Sequence, residues 1–167
     1  NNEDYINALA ERMRPYLSQE YDHILFSYHG VPARHIHKSD VTGSHCLKVN
    51  NCCEKASPAH ARCYRHQCFT TTKLVTERLN ISPDKCSISF QSRLGKGWLE
   101  PFTDIRLEEM PKEGIKKLLI VCPAFTSTGI NSLPCSSTIS TSCPWLSRQK
   151  YKLDSKPWLK RFLINSL

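Results

Sequence analysis

The 167 residues hold no run of 18 apolar residues, no secretory signal pattern and no initiator methionine. The first absence excludes a membrane-spanning helix, which needs about 20 predominantly apolar residues to cross the hydrocarbon layer. The other two, in a chain that opens at Asn1 in what reads as helical sequence, predict a soluble piece of a longer cytoplasmic protein. No compact basic run is interleaved with aromatics. The net charge of +8 therefore reads as a solvated basic surface, and a nucleic-acid partner is not expected. No segment repeats. Paired C-x-x-C knuckles are missing too, and with them the usual signature of a structural zinc module.

What is present in excess is cysteine: nine in all, an odd number, five of them crowded into one stretch. Cys46, Cys52, Cys53, Cys63 and Cys68 follow the spacing C-x5-CC-x9-C-x4-C. An odd count, tight clustering and no export signal favour metal ligation in a reducing compartment over disulfides. Cys86 and Cys122 lie in apolar runs and read as small core residues, while Cys135 and Cys143 fall in a Ser/Thr-rich tail.

Periodicity divides the rest. Tyr5, Leu9, Met13 and Leu17 recur at helical spacing, with Asn2 as the cap and Pro15 expected to kink or end the helix. Ile24, Leu25 and Phe26 form a short apolar strand that ends before Gly30 and Pro32. Residues 34–68, rich in His, Lys, Asn and Cys, read as a metal-held insert. A second helical face runs through Phe69, Thr72, Val75 and Leu79, and strands are predicted at Cys86–Phe90 and Leu118–Val121 with a short helix over Asp104–Met110 between them. This alternation predicts an α/β fold on a parallel sheet. From Thr126 to Cys143 no periodicity holds, so loop is expected. KPWLKRFLINSL predicts a short amphipathic helix using Trp158, Phe162 and Leu163.

His29 stands where the first strand opens into its loop, the end of a parallel strand at which α/β proteins bind ligands. An imidazole, with an ordinary pKa of about 6.5, can there accept a proton or coordinate a divalent metal.

FSYHGVP at 26–32, SFQSRLGKGWLEPFTD at 89–104 and LLIVCPAFTS at 118–127 occur in one order that resembles bacterial ferrochelatase, the enzyme that inserts ferrous iron into a porphyrin in haem biosynthesis. The resemblance covers roughly Tyr5–Ser127. It implies the C-terminal half of a two-domain chelatase with a Rossmann-like parallel sheet, residues 1–127, and an absent N-terminal half that supplies the other wall of the cleft. It implies His29 as the catalytic residue that handles the substrate iron and the pyrrole protons, and Tyr28, Gln91, Ser92, Arg93 and Trp98 as the porphyrin-binding side. Trp98 would stack on the macrocycle and Arg93 would offer its fork to a propionate. Peripheral contact with a membrane is a further expectation. Some bacterial members carry a cysteine-rich segment that ligates a [2Fe-2S] cluster, so the resemblance also implies four of the five clustered cysteines as its ligands, with the fifth, one of Cys52 and Cys53, left over. The alternative is a noncatalytic iron–sulfur or zinc-binding module, the zinc held by cysteines with His45, His60 or His66. Where the family continues into an acidic helix that begins D-C-x-E-T-L, this chain has Asn131 at the glutamate's position, and residues 128–167 read as a divergent tail, disordered or altered in frame.

Overall fold

Asn2 caps the first helix as predicted: its Oδ1 accepts from the backbone N–H of Asp4 at 2.8 Å and of Tyr5 at 3.3 Å. The computed structural model describes residues 2–123 and the strand at 160–165. Helix α1 spans Glu3–Leu17 and buries Ile6, Leu9, Ala10 and Met13, a stripe turned slightly from the one the apolar spacing predicts. Pro15 does not stop it, because a missing N–H in the final turn removes only a terminal bond.

Strand β1 is His23–His29, helix α2 Ala33–Ser39, helix α3 Tyr64–Arg78, strand β2 Cys86–Gln91, helix α4 Thr103–Glu109, strand β3 Lys117–Cys122 and strand β4 Lys160–Asn165. The sheet order is β2-β1-β3-β4, all neighbours parallel. The chain steps from β1 outward to β2 and then crosses back over β1 to β3. Right-handed crossovers in opposite directions require helices on opposite faces, and that is what the burial pattern gives. Ile24, Phe26 and Tyr28 face the layer of α1 and α3 together with Leu119 and Val121. Leu25, Leu118, Ile120 and Cys122 face Leu107 and Met110 at and just beyond α4. A strand covered on both faces needs the continuous apolar runs seen in β1 and β3.

Polar groups fasten this frame at two points. Asp22 accepts from the N–H groups of Lys116 and Lys117 at 2.8 and 2.7 Å, fixing the start of β3 beside β1; these two bonds hold its carboxyl below the usual range. On the α4 face, Thr103 Oγ1 lies 2.9 Å from Ser27 Oγ and 2.8 Å from Ser89 Oγ, so one buried hydroxyl ties α4 to two paired strands.

Lys160–Asn165 corrects the helix expected near the C-terminus. Phe162, Leu163 and Ile164 are consecutive apolar residues beside the open edge of β3, where ladder bonds are available; a helix this short would leave most of its backbone groups unpaired. Trp158, the Ser/Thr-rich stretch and Asn131 lie outside the described residues.

Candidate active site and cysteine segment

The direction of strand addition reverses at β1, between β2 and β3, and the carboxyl ends of strands at such a reversal are where open α/β sheets bind ligands. His29 closes β1 there with an exposed side chain, paired in register with buried Gln91 at the end of β2. The next residue has to be glycine. Gly30 N–H donates to the Gln91 carbonyl at 2.7 Å, and a Cβ at this position would stand 2.6 Å from that same oxygen.

Ser92, at φ +67°, turns the chain out of β2 into the exposed loop Arg93–Gly97. The loop returns along the residues after His29: Ala33 N–H donates to the Gly97 carbonyl at 2.8 Å, Leu99 N–H to Val31 at 3.0 Å, and Pro32 bridges Trp98. Trp98 is thereby half-buried beside Gly30. An open cavity of about 710 Å³ is lined by Arg93, Leu94, Lys96, Glu100 and Phe102, with Leu94 89% exposed at its lip. His29 is not part of that lining. The Arg93 guanidinium donates to Asp104 Oδ2 at 2.7 Å and lies 4.2 Å over the Phe102 ring, so its fork is already partly engaged. Tyr28 faces the core. It is 4% exposed, with its hydroxyl 2.8 Å from Thr72 Oγ1, and burial pushes its ionisation well up.

All five clustered cysteines are buried. The Asp40 carboxylate organises the loop that carries the first: Oδ1 accepts from Thr42 N–H and hydroxyl at 2.9 and 2.7 Å, and Oδ2 from the N–H groups of His45 and Cys46 at 2.9 and 2.8 Å. Those bonds, the Thr42 hydroxyl foremost, hold its carboxyl far below the usual range. Hydrogen bonding from its surroundings, the neighbouring Cys53 first, lowers the ionisation of Cys63 to about 5, whereas burial raises Cys46 to about 12. Arg65 Nη1 lies 3.0 Å from Cys53 Sγ and 3.6 Å from Cys52 Sγ, its guanidinium stacked 4.6 Å over Phe69. Leu47 N–H points at Cys52 Sγ (3.4 Å) and His66 N–H at Cys63 Sγ (3.5 Å). Cys68 lies on the core stripe of α3 with Thr72 and Val75, in the same buried cluster as Cys46 and Cys63, and burial raises its thiol to about 12. Among the described residues, no three His, Cys, Asp or Glu side chains are arranged to hold a single metal ion.

A protein-family model described as Ferrochelatase matches residues 1–134. The chain belongs to the ferrochelatase family. Proteins named Ferrochelatase from Opitutus terrae and Ectopseudomonas mendocina are each 50% identical to it, over 131 and 132 residues, which is 78% of this chain and 38% of each relative. One from Pseudomonas fluorescens is 50% identical over 132 residues, 39% of its length. The chain thus spans about two fifths of the length of the ferrochelatases it matches.

Set against the ferrochelatase expectations, the fold brings His29, Gln91, Ser92 and Trp98 to one end of the sheet, holds Arg93 on the outer side of the same loop and puts Tyr28 beneath it. Four neighbours of these side chains had little or no signal in the sequence. Asp104 and Tyr64 are ordinary residues until the fold brings them to Arg93 and His29, 11 and 35 positions away. Asp40 and Arg65 had a weak signal, as charges inside the cysteine-rich segment. The three histidines of the zinc alternative bind backbone carbonyls instead. His45 Nε2 and His60 Nε2 donate to the Cys52 carbonyl at 2.7 Å each, and His66 Nδ1 donates to that of Cys53 at 2.9 Å. His60 and His66 stack with centroids 3.7 Å apart.

Proposed function

We propose that the protein carrying this chain is a ferrochelatase that inserts ferrous iron into a porphyrin in haem biosynthesis, and that residues 1–127 form one wall of its cleft. The observation that carries this reading is the position of His29: an exposed imidazole at the carboxyl end of β1, at the reversal of strand order, inside the segment that matches the family. Metal insertion removes two pyrrole protons while the metal exchanges water for ring nitrogens. A histidine at the rim of a cleft can accept a proton from the ring and hold the incoming iron by the same lone pair at different moments. Gln91 and Ser92 set the turn beside it, Trp98 offers an indole face to the macrocycle, and Tyr28 supports the strand end from below. Arg93 reaches a propionate by sharing its fork with Asp104. The remaining length of the protein supplies the opposite wall. Cytoplasmic location belongs to the same reading, with peripheral membrane contact through the exposed lip at Leu94; among the described residues no helix is long and apolar enough to cross a membrane. The test is spectrophotometric: the full-length protein is supplied with ferrous iron or zinc and with protoporphyrin or coproporphyrin. Metalloporphyrin formation with one of the two is expected, and failure with both sinks the reading.

The cysteine segment suits a [2Fe-2S] cluster held by Cys46, Cys52, Cys53 and Cys63. What supports this is a set of buried thiols with N–H donors aimed at the sulfurs, the surroundings a thiolate needs once it is taken out of water. When bound, such a cluster supplies a cross-link and a one-electron redox centre. Cys68 is then the residue left over, in place of one of Cys52 and Cys53, because one guanidinium nitrogen of Arg65 brings the Cys52 and Cys53 sulfurs together, 3.6 and 3.0 Å from it. Serine at any of the four is expected to abolish the visible absorption and EPR signal of anaerobically purified protein, whereas Cys68→Ser keeps them. A colourless, zinc-loaded protein would overturn the cluster.

A further inference from the structure

Tyr64 opens α3 one residue after Cys63, and its hydroxyl donates to the backbone carbonyl of His29 at 2.8 Å. That carbonyl belongs to the last residue of β1, where the ladder to β2 ends, so a side chain 35 positions away supplies its hydrogen bond. Because a carbonyl can only accept, the Tyr64 proton lies toward His29.

The other end of Tyr64 is anchored in the cysteine segment. Cys63 is the N-cap of α3, its sulfur receiving His66 N–H at 3.5 Å. Whatever sets the position of Cys63 therefore sets the first turn of α3 and with it the phenol. A rigid aromatic ring with only two side-chain torsions then carries that position to the His29 peptide. We infer that Tyr64 is a positioning residue that couples the cysteine segment to His29. The inference rests on the reading of His29 as the group that acts on porphyrin or metal.

Tyr64→Phe removes one oxygen and leaves the ring, so the test isolates the bond. In the full-length protein the expected result is a fall in kcat for metal insertion of roughly three- to tenfold, the equivalent of one lost hydrogen bond, with KM for porphyrin unchanged. A second readout is independent of activity. Hydrogen–deuterium exchange read by mass spectrometry is expected to rise in the peptide that covers His29–Val31 in Tyr64→Phe, and to stay at the parent level there in the control Tyr21→Phe. Treating the parent with a chelator strong enough to strip the cysteine segment is expected to raise exchange in the same peptide, and to raise it no further in Tyr64→Phe. Unchanged kcat with unchanged exchange at His29–Val31 overturns the inference. So does a loss of thermal stability that accounts for the whole activity change, with kcat restored on cooling. Full activity of His29→Ala would instead remove the reading of His29, and the exchange result would still report on the Tyr64 contact.

Discussion

Replacing His29 by alanine in the full-length protein is expected to lower kcat/KM for metal insertion by about 10²–10⁴-fold, the range that one positioned acid–base group supplies. The reason for expecting a clean effect is the way the residue is held. Its backbone is fixed from three sides: by the β1–β2 ladder, by the neighbouring Gly30 N–H on the Gln91 carbonyl, and by the Tyr64 hydroxyl on its own carbonyl. Its side chain is exposed and contributes little packing. Truncation therefore removes the imidazole and leaves the peptide in place, and the unfolding free energy should change by no more than about 0.5 kcal/mol, as for other surface substitutions. Steady-state kinetics with urea unfolding in parallel separates the two. A variant as active as the parent would make His29 a turn residue, with the proton acceptor elsewhere in the protein.

The second large effect falls on the adjacent position. Gly30→Ala places a methyl group 2.6 Å from the Gln91 carbonyl oxygen and 3.6 Å from Trp98 Cε3. The first of these atoms is backbone and cannot rotate away; it is also the acceptor of the Gly30 N–H, so relieving the contact costs that bond. The end of β2 must move away from β1. Overpacking of this kind costs typically about 1–3 kcal/mol, and the urea midpoint should drop accordingly. Activity should fall with it at permissive temperature, because the displaced segment includes Gln91, Ser92 and Trp98. An unchanged midpoint would show that the two strand ends are free to part.

Both predictions depend on neighbours that no local pattern announces, and the same divide runs through the fold. β1 and β3 were legible because strands buried on both faces are continuous apolar runs, β2 because Cys86, Ile88 and Phe90 alternate with serines, and Asn2 because a cap is a local interaction. α3 was read from its face at Phe69–Leu79 but begins at Tyr64, since its first turn is polar and its cap is a cysteine, Cys63, which few capping rules include. α2 was hidden inside the predicted insert: one apolar residue, Ile36, among Arg34, His35, His37 and Lys38 gives no periodicity, and its burial comes from tertiary packing. β4 was misread because Phe162–Ile164 suits either structure until an open sheet edge decides. Within the site, the sequence read His29 at the end of the first strand, and its resemblance to the family singled out Gln91, Ser92, Arg93 and Trp98. It could not reveal that Asp104 holds Arg93, that Tyr64 holds His29, or that Cys68 faces the core, because each of these is set by which strands and helices become neighbours.

Leu25 and Phe26 lie in the part of β1 that is paired on one side with β2 and on the other with β3. In the hierarchy of local openings that every native protein undergoes, such amides open last, close to the free energy of global unfolding, whereas an exposed loop such as Arg93–Gly97 opens at almost none. His29 is thus the last residue of a strand that relaxes seldom, and the loop beyond the end of β2 relaxes often. A flat, rigid ring laid against this wall would meet a floor that keeps its shape and a rim that conforms.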